Sequence, residues 1–398
     1  MRILLIVVYY LPSTMSSATL IHDLAAEFRR LGHEPIVVAP DENISMDSQE
    51  SFENGIKVLR VKTGKIKSAA RFIRAFNEIR LSNIIWKKGK EFFNENPCDL
   101  IIYYSPSIFF GSLVKRLKKK FACPSYLILG DIFPQWAIET GVLRKGLIYN
   151  YFKYKERQNY EAADIIRVQS PANLQYFKEN RLDKKYHLEV LYNWTSLSEE
   201  HVPYTTYRVR LGLQNKIVFF YGGNIGAAQD VDNIIRLAEN LQNEPTAYFL
   251  LVGGGSEVSR LKAKIALKEL TNIAIHDPVG YEEYLSMLSE FDVGLISLDS
   301  RLRSQNFPGK MMSYMFHAKP ILASINPGND LKEMLEDNNA GLGCVNGEDE
   351  IFADYARRLV VDENLRCQLG KNARILLEKT FSVSKAAQQI LSHFGPLN

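Results

Sequence analysis

Apolar positions along the chain alternate between two patterns, short continuous runs and stripes of helical period. Ile3 to Tyr9 is an unbroken, β-branched-rich run of the kind found in strands buried on both faces. After a loop, LIHDLAAEFRRLGH places Leu20, Leu24, Ala25 and Phe28 on one helical face, Gly32 stops the helix, and Pro35 to Ala39 reads as a second strand. The result is a βαβ unit with a short first turn. Further strands are predicted at Leu100 to Tyr104 and Tyr126 to Leu129, with helices over 68–94, 107–120 and 146–163.

The pattern restarts near residue 190. Ile217 to Tyr221 is strand-like and leads through Gly222, Gly223 and Gly226 into the helical stripe VDNIIRLAENL. Strands follow at Phe249 to Val252, Ile273 to Ile275, Val293 to Leu298 and Pro320 to Ser324. Helices are predicted near 256–269, at 281–290 and over PGKMMSYMFHA, with Pro308 at the favoured first-turn position. A chain of 398 residues exceeds what one core usually organises. The prediction is an α/β protein with two doubly wound, Rossmann-like domains facing a central cleft, the first over 1–190 and the second over 191–375. Ligands in such sheets sit at the carboxyl ends of the strands.

Composition narrows the class. An apolar share of 46% with 24% charged residues is that of a globular chain and excludes a disordered one. Cys98, Cys123, Cys344 and Cys367 lack the spacing of a disulfide scaffold or zinc site and read as reduced, buried thiols. No acidic cluster of metal-binding type occurs. The first apolar run is too short to cross a bilayer, which takes roughly 20 residues. It reads as a strand, so the chain is expected to be cytoplasmic and at most peripherally attached to the inner membrane. Residues 1–190 carry 29 Lys/Arg against 20 Asp/Glu, whereas the remainder is acidic. From Lys57 to Lys90 there are 11 basic residues opposed only by Glu78, and a second cluster runs from Lys115 to Lys120 after Phe109 and Phe110. Basic surface beside apolar side chains suits an anionic membrane, although each cluster alone is equally a solvated helix face. No nucleic-acid-binding motif is present, and no nucleic-acid partner is expected.

Three loops carry candidate chemistry. Gly222-Gly223-Asn224-Ile225-Gly226 lies between a strand and a helix, where glycines let amides approach a phosphate or simply make a tight turn. It is not GxGxxG and no GKS/T follows, which disfavours a nucleotidase of Walker type. RLRSQNFPGK opens a helix after a strand. There Asn306, Phe307, Gly309 and Lys310 could clamp a pyrophosphate, with Arg301 and Arg303 adding charge; a capped helix with surface cations is the plainer alternative. In LILGDIFPQW, Asp131 follows a strand directly, placed either to take or orient an acceptor hydroxyl proton or to cap a turn. Phe133, Pro134 and Trp136 suit a sugar platform, a lipid contact or packing. Ser16 and Ser17, in STMSS, offer hydroxyls and amides at a helix start. His22 and His317 read as structural.

Taken together, MRILLIVVYYLP, GHEPIVVAP, YYSPSIFFGSLVK, GDIFPQW, VLYNW, YGGNIGAAQD, FLLVGGGSE, NFPGKMMSYMFHAKPILAS and NPGNDL resemble family 4 glycosyltransferases of the GT-B fold, over nearly the whole chain. The likeness is greatest to the branch that builds O-antigen and capsule. It implies a UDP-sugar donor, such as one carrying N-acetyl-L-fucosamine, bound mainly by the second domain. The donor set would be Gly222, Gly223, Asn224, Ile225, Gly226, Gln229, Arg303, Asn306, Phe307, Pro308, Gly309, Lys310 and Ser313. The acceptor would be an undecaprenyl-pyrophosphate-linked saccharide held near Ser16, Ser17 and Asp131. Transfer with retention, without metal or other cofactor, is implied, as is a C-terminal segment, FSVSKAAQQILSHF within 376–398, that crosses back to the first domain. Departures from the family pattern are specific. Its basic pair falls on Asn224 and Gln229, its two glutamates on Gln305 and Ser313, and its N-terminal glycine pair on Ser16-Ser17. Lys310 matches the family lysine and is expected to be catalytic, with Asp131 on the acceptor side. The competing readings are a non-hydrolysing UDP-amino-sugar epimerase and a catalytically silent scaffold protein.

Overall fold

Parallel β-sheet organises both halves of the chain. A computed structural model describes residues 1–13, 15–64, 71–105, 107–139, 142–197, 206–302 and 307–395, with the side chains of 71–76 and 139 outside that description. In chain order the elements run β1 (Arg2–Ile6), α1 (Ser16–Arg30), β2 (Glu34–Asp41), β3 (Ser48–Glu53), β4 (Ile56–Lys62), α2 (Arg71–Lys88), α3 (Lys90–Glu95), β5 (Leu100–Ser105), α4 (Gly111–Phe121), β6 (Ser125–Leu129), α5 (Gln135–Glu139), α6 (Leu147–Tyr160), β7 (Ile165–Val168), α7 (Pro171–Glu179) and β8 (Leu188–Val190). They continue as α8 (Tyr207–Arg210), β9 (Ile217–Gly222), α9 (Asp232–Asn240), β10 (Ala247–Val252), α10 (Val258–Leu267), β11 (Ile273–His276), α11 (Tyr281–Glu290), β12 (Val293–Ser297), α12 (Lys310–Phe316), β13 (Ile321–Ile325), α13 (Leu331–Asp337), β14 (Gly341–Val345), α14 (Asp349–Val361), α15 (Glu363–Leu376) and α16 (Val383–Ser392). Two units result, Met1–Ser196 with Val383–Asn398, and Leu197–Ser382.

The first unit is an eight-stranded sheet in the order β3-β4-β2-β1-β5-β6-β7-β8. The β1 run is buried throughout because helices cover both faces. Leu4 and Ile6 join one core with Leu81, Ile85, Leu113 and Leu117 of α2 and α4. Ile3 and Leu5 join the other with Leu20, Leu24 and Phe28 of α1 and Val383, Ala387 and Ile390 of α16. The C-terminal helix therefore belongs to the first unit, as the resemblance implies. The segment before the second unit is tied to α1 as well: buried Trp194 donates its indole N–H to the Leu20 carbonyl at 2.8 Å, and Ser196 N–H donates to Asp23 at 3.2 Å. Because Ile390 is fully buried, Ile390→Val is expected to lower unfolding free energy by about 1 kcal/mol, read as a shifted urea midpoint at unchanged slope.

The hairpin β3–β4 changes the reading of the basic stretch. Strand β3, SQESFE, is a polar edge strand paired antiparallel to β4, and it brings carboxylates to the cations. Lys57 meets Glu50 at 2.9 Å, Arg60 meets Glu53 at 3.1 Å and Lys88 meets Asp47 at 2.8 Å. Likewise Lys118 pairs with Asp164 at 2.6 Å and Lys115 with Glu161 at 3.4 Å. Among the described pairs, three cations of the first run and two of the second are thus offset.

The second unit is a six-stranded parallel sheet, β11-β10-β9-β12-β13-β14, around a core in which Phe219 and Phe249 stack with ring centroids 5.0 Å apart. Chain order reverses between β9 and β12, so the crevice at their carboxyl ends is the expected ligand position. Among the described residues no helix is long and apolar enough to cross a membrane, and no cluster of His, Cys, Asp or Glu could hold a metal ion.

Candidate functional site

The strongest chemical feature of the second unit lies where β9 ends. Here the turn Gly222 to Gly226 and the start of α12 converge. Lys310 opens α12 and lays its ammonium over the Tyr221 ring, 3.3 Å from the centroid. Gly223, with φ +119°, takes a backbone conformation that a side chain would strain, and a Cβ there would stand 3.7 Å from Lys310 Nζ. The enclosure withholds water from the ammonium and pushes its pKa well below the ordinary 10.5, with no carboxylate among the described residues compensating. A half-buried cation beside a strand end and a bare backbone is a ready counter-ion for an incoming anion.

Two tyrosines that sequence reasoning did not single out build this corner. Tyr314, one helical turn after Lys310, is fully buried; its hydroxyl accepts from Gly222 N–H at 3.2 Å and donates to the Leu295 carbonyl at 3.2 Å, linking β9, β12 and α12. Tyr221, beneath Lys310, donates to the Asn224 carbonyl at 2.7 Å. The i, i+4 spacing of Lys310 and Tyr314 was the available signal.

The glycine turn is held differently from the expectation that its amides cradle a diphosphate. Gly223 N–H donates to the Val252 carbonyl at 2.9 Å and Ile225 N–H to the Gly254 carbonyl at 2.8 Å. Gln229 accepts from Gly226 N–H at 3.2 Å and from the Asn224 amide at 2.8 Å. These amides are committed within the chain, so the turn offers an anion chiefly its shape and the exposed Asn224 side chain. On α12, Gly309 is exposed, Phe307 and Pro308 are half-buried with Phe307 against Phe381 at 6.3 Å, and Ser313 hydrogen-bonds the Tyr284 hydroxyl. Helix α12 starts at Lys310, so Pro308 precedes the helix and does not occupy its first turn. Arg303 and Asn306 lie outside the described residues, as does Gln305. Arg301 is bound to Asp299, its Nε 2.9 Å from Oδ1, and this pairing removes it as a substitute cation.

In the first unit, Ser16 and Ser17 open α1, whose start lacks a side-chain cap, and Ser16 is exposed. Asp131 is half-buried just past β6. Beneath it runs a polar chain: Arg167 donates to Asn193 at 2.8 Å, Asn193 to Gln169 at 3.2 Å, and Gln169 to the Gly130 carbonyl. The Asp131 carboxylate contributes to raising Tyr104, which burial above all pushes up to about 12. His22 is held through both ring nitrogens, by Tyr10 at 2.9 Å and Asn54 at 3.3 Å, and His317 is buried with its pKa pushed down to about 4 by loss of water. Both histidines are structural, as read from the sequence.

Residues 204–376 match the family model described as "Glycosyl transferases group 1". This stretch is therefore similar to group 1 glycosyltransferases. The chain is 24% identical over 280 residues, 68% of each chain, to the probable glycosyltransferase WbjE of Pseudomonas aeruginosa. It is 27% identical over 207 residues, about half of each chain, to the putative colanic acid biosynthesis glycosyl transferase WcaI of Escherichia coli K12. Its fold is similar to that of Anabaena Alr3699/HepE in complex with UDP and glucose, with TM-score 0.69, 16% identity and 99% of both chains covered. Each unit has the parallel-sheet architecture of GT-B glycosyltransferases. The Lys310 corner lies inside the matched stretch, whereas Ser16, Ser17 and Asp131 lie before it.

Proposed function

We propose that the chain transfers a sugar, of the N-acetylated amino or deoxy type, from a UDP-sugar to a lipid-linked saccharide during assembly of a surface polysaccharide. The observation that carries this reading is the desolvated, uncompensated Lys310 ammonium over Tyr221 at the β9–β12 switch point. In the reaction the bond from sugar C1 to the β-phosphate oxygen breaks, and one from C1 to the acceptor oxygen forms. Negative charge grows on the departing diphosphate, and a fixed ammonium in a water-poor corner stabilises it more in the transition state than in the ground state. The leaving diphosphate or Asp131 takes the acceptor proton, Asp131 orients the hydroxyl, and Ser16 and Ser17 contact the acceptor. Retention of configuration and independence of metal belong to this proposal. Support comes from the UDP-bound state of HepE and from the naming of WcaI for colanic acid biosynthesis.

Product analysis tests the reading. Purified protein with a panel of UDP-sugars and a GlcNAc-pyrophosphoryl lipid should yield a lipid product heavier by one sugar. An epimerised UDP-sugar formed without acceptor, or no product with any donor, would sink it.

UDP binding should also take up a proton. The diphosphate restores a counter-charge, so the Lys310 pKa is higher in the complex than in the free protein. Below the free value affinity is flat, between the two values it falls as pH rises, and above both it is flat again. Calorimetry above pH 7, beyond the phosphate's own second pKa of about 6, should give a binding enthalpy that depends on buffer. The dependence should vanish in Lys310→Met.

A further inference from the structure

The face of the first unit that best fits a membrane is not either of the basic clusters seen in the sequence. Arg144, Lys145, Gly146, Leu147 and Ile148 are consecutive and all exposed at the start of α6. Leu147 is 88% exposed, Ile148 63% and Val142 63%. Tyr151 and Tyr154 continue from Leu147 at helical spacing, and Lys155 sits over both rings at 5.8 and 5.5 Å. Residues 142–155 contain no Asp or Glu. An aromatic cluster roots α5 and α6 in one surface: Phe133 touches Trp136 at 5.9 Å and Phe152 at 5.1 Å, and Trp136 is itself exposed. Large aliphatics held outward beside Arg144 and Lys145, which pair with no carboxylate among the described residues, match the chemistry of an interfacial anchor. The cluster on α4 does not, because its Lys115 and Lys118 are paired with carboxylates.

We propose that Trp136, Val142, Leu147 and Ile148, with Arg144 and Lys145, dock on an anionic bilayer, the aliphatics entering the acyl boundary and the cations meeting lipid phosphates. The chain reaches Trp136 five residues after Asp131, so docking there would set the acceptor-side loop close to the lipid surface. This consequence rests on the reading of a lipid-linked acceptor.

Co-sedimentation of the full chain with vesicles of phosphatidylglycerol in phosphatidylcholine, and of phosphatidylcholine alone, tests the docking. Wild type should partition more strongly to the anionic vesicles. Leu147→Ser with Ile148→Ser should lower the partition coefficient at least tenfold, and Arg144→Glu with Lys145→Glu should abolish the preference for anionic lipid. Transfer to a bilayer-held acceptor should fall at least tenfold in the serine variant, while transfer to the same saccharide on a short water-soluble carrier stays unchanged. Wild-type partition in the serine variant would overturn the proposal, as would loss of binding in Lys119→Ala with Lys120→Ala. Self-association abolished by the serine variant, with no vesicle binding in wild type, would assign the face to a second copy and overturn it too. If no acceptor is extended at all, the transferase reading fails, and partition still decides the docking.

Discussion

Lys310→Met is expected to lower kcat/KM for sugar transfer by roughly a hundredfold while raising the thermal midpoint of the protein. The first effect follows from geometry. Among the described residues Lys310 brings positive charge to the β9–β12 crevice, and the nearby side chains of Asn224 and Gln229 are neutral. A charge-assisted contact to the departing diphosphate contributes up to about 3 kcal/mol, which converts to roughly a hundredfold in rate. The second effect has the opposite sign because the ammonium is desolvated. Its folded-state pKa lies well below 10.5, so the unfolded chain binds more protons and stability rises with pH through the window between the two values. Below that window the burial penalty is present in full, and methionine, similar in length and apolar, removes it. Steady-state kinetics and a thermal scan at neutral pH check both halves. Wild-type turnover in a folded variant would remove Lys310 from the mechanism. A lower midpoint would make any lost activity a matter of folding. Lys310→Arg should restore little, since the planar guanidinium does not fit the narrow space between Tyr221 and Gly223.

How far the sequence led depends on whether the signal was local. Strands β1, β9 and β10 are continuous β-branched or aromatic runs buried on both faces, and period alone is enough to place them. The polar edge strand β3 has no such run, because one side of its ladder faces solvent, and it escaped notice. Its absence from the reading made Lys57 and Arg60 look unopposed, although Glu50 and Glu53 sit across the hairpin. The same limit applies to the site. Lys310 was legible from NFPGK, but the ring beneath it belongs to β9 and the hydroxyl that joins β9 to α12 belongs to Tyr314, contacts spanning some ninety residues that no local pattern encodes. Membrane chemistry was sought in charge runs, whereas the exposed cation-and-aliphatic face at the start of α6 emerges only once burial is known.

Gly253→Ala should destabilise the protein by about 3 kcal/mol, near the upper range for overpacking, and weaken UDP binding as a consequence. Gly253-Gly254-Gly255 directly follows β10. In the structure a Cβ on Gly253 would overlap the Gly223 carbonyl oxygen, and one on Gly255 would overlap that of Ile225. Both obstacles are backbone, which no rotamer change relieves. The glycines exist so that the β10 turn can lie against the β9 turn, where Gly223 N–H and Ile225 N–H donate to the Val252 and Gly254 carbonyls. Gly254→Ala meets only the ring edge of Pro278, at 3.0 Å, and should cost about 1 kcal/mol. Urea unfolding of the two variants separates packing from ligand contact: a packing role predicts that Gly253→Ala is the less stable in the absence of nucleotide. Equal stability of both variants, with UDP affinity lost only in Gly253→Ala, would instead assign this turn to ligand contact. Because the β9 turn carries Gly223 beside Lys310, pushing it outward moves the ammonium's surroundings as well. The stability loss and the weaker nucleotide binding should therefore appear together.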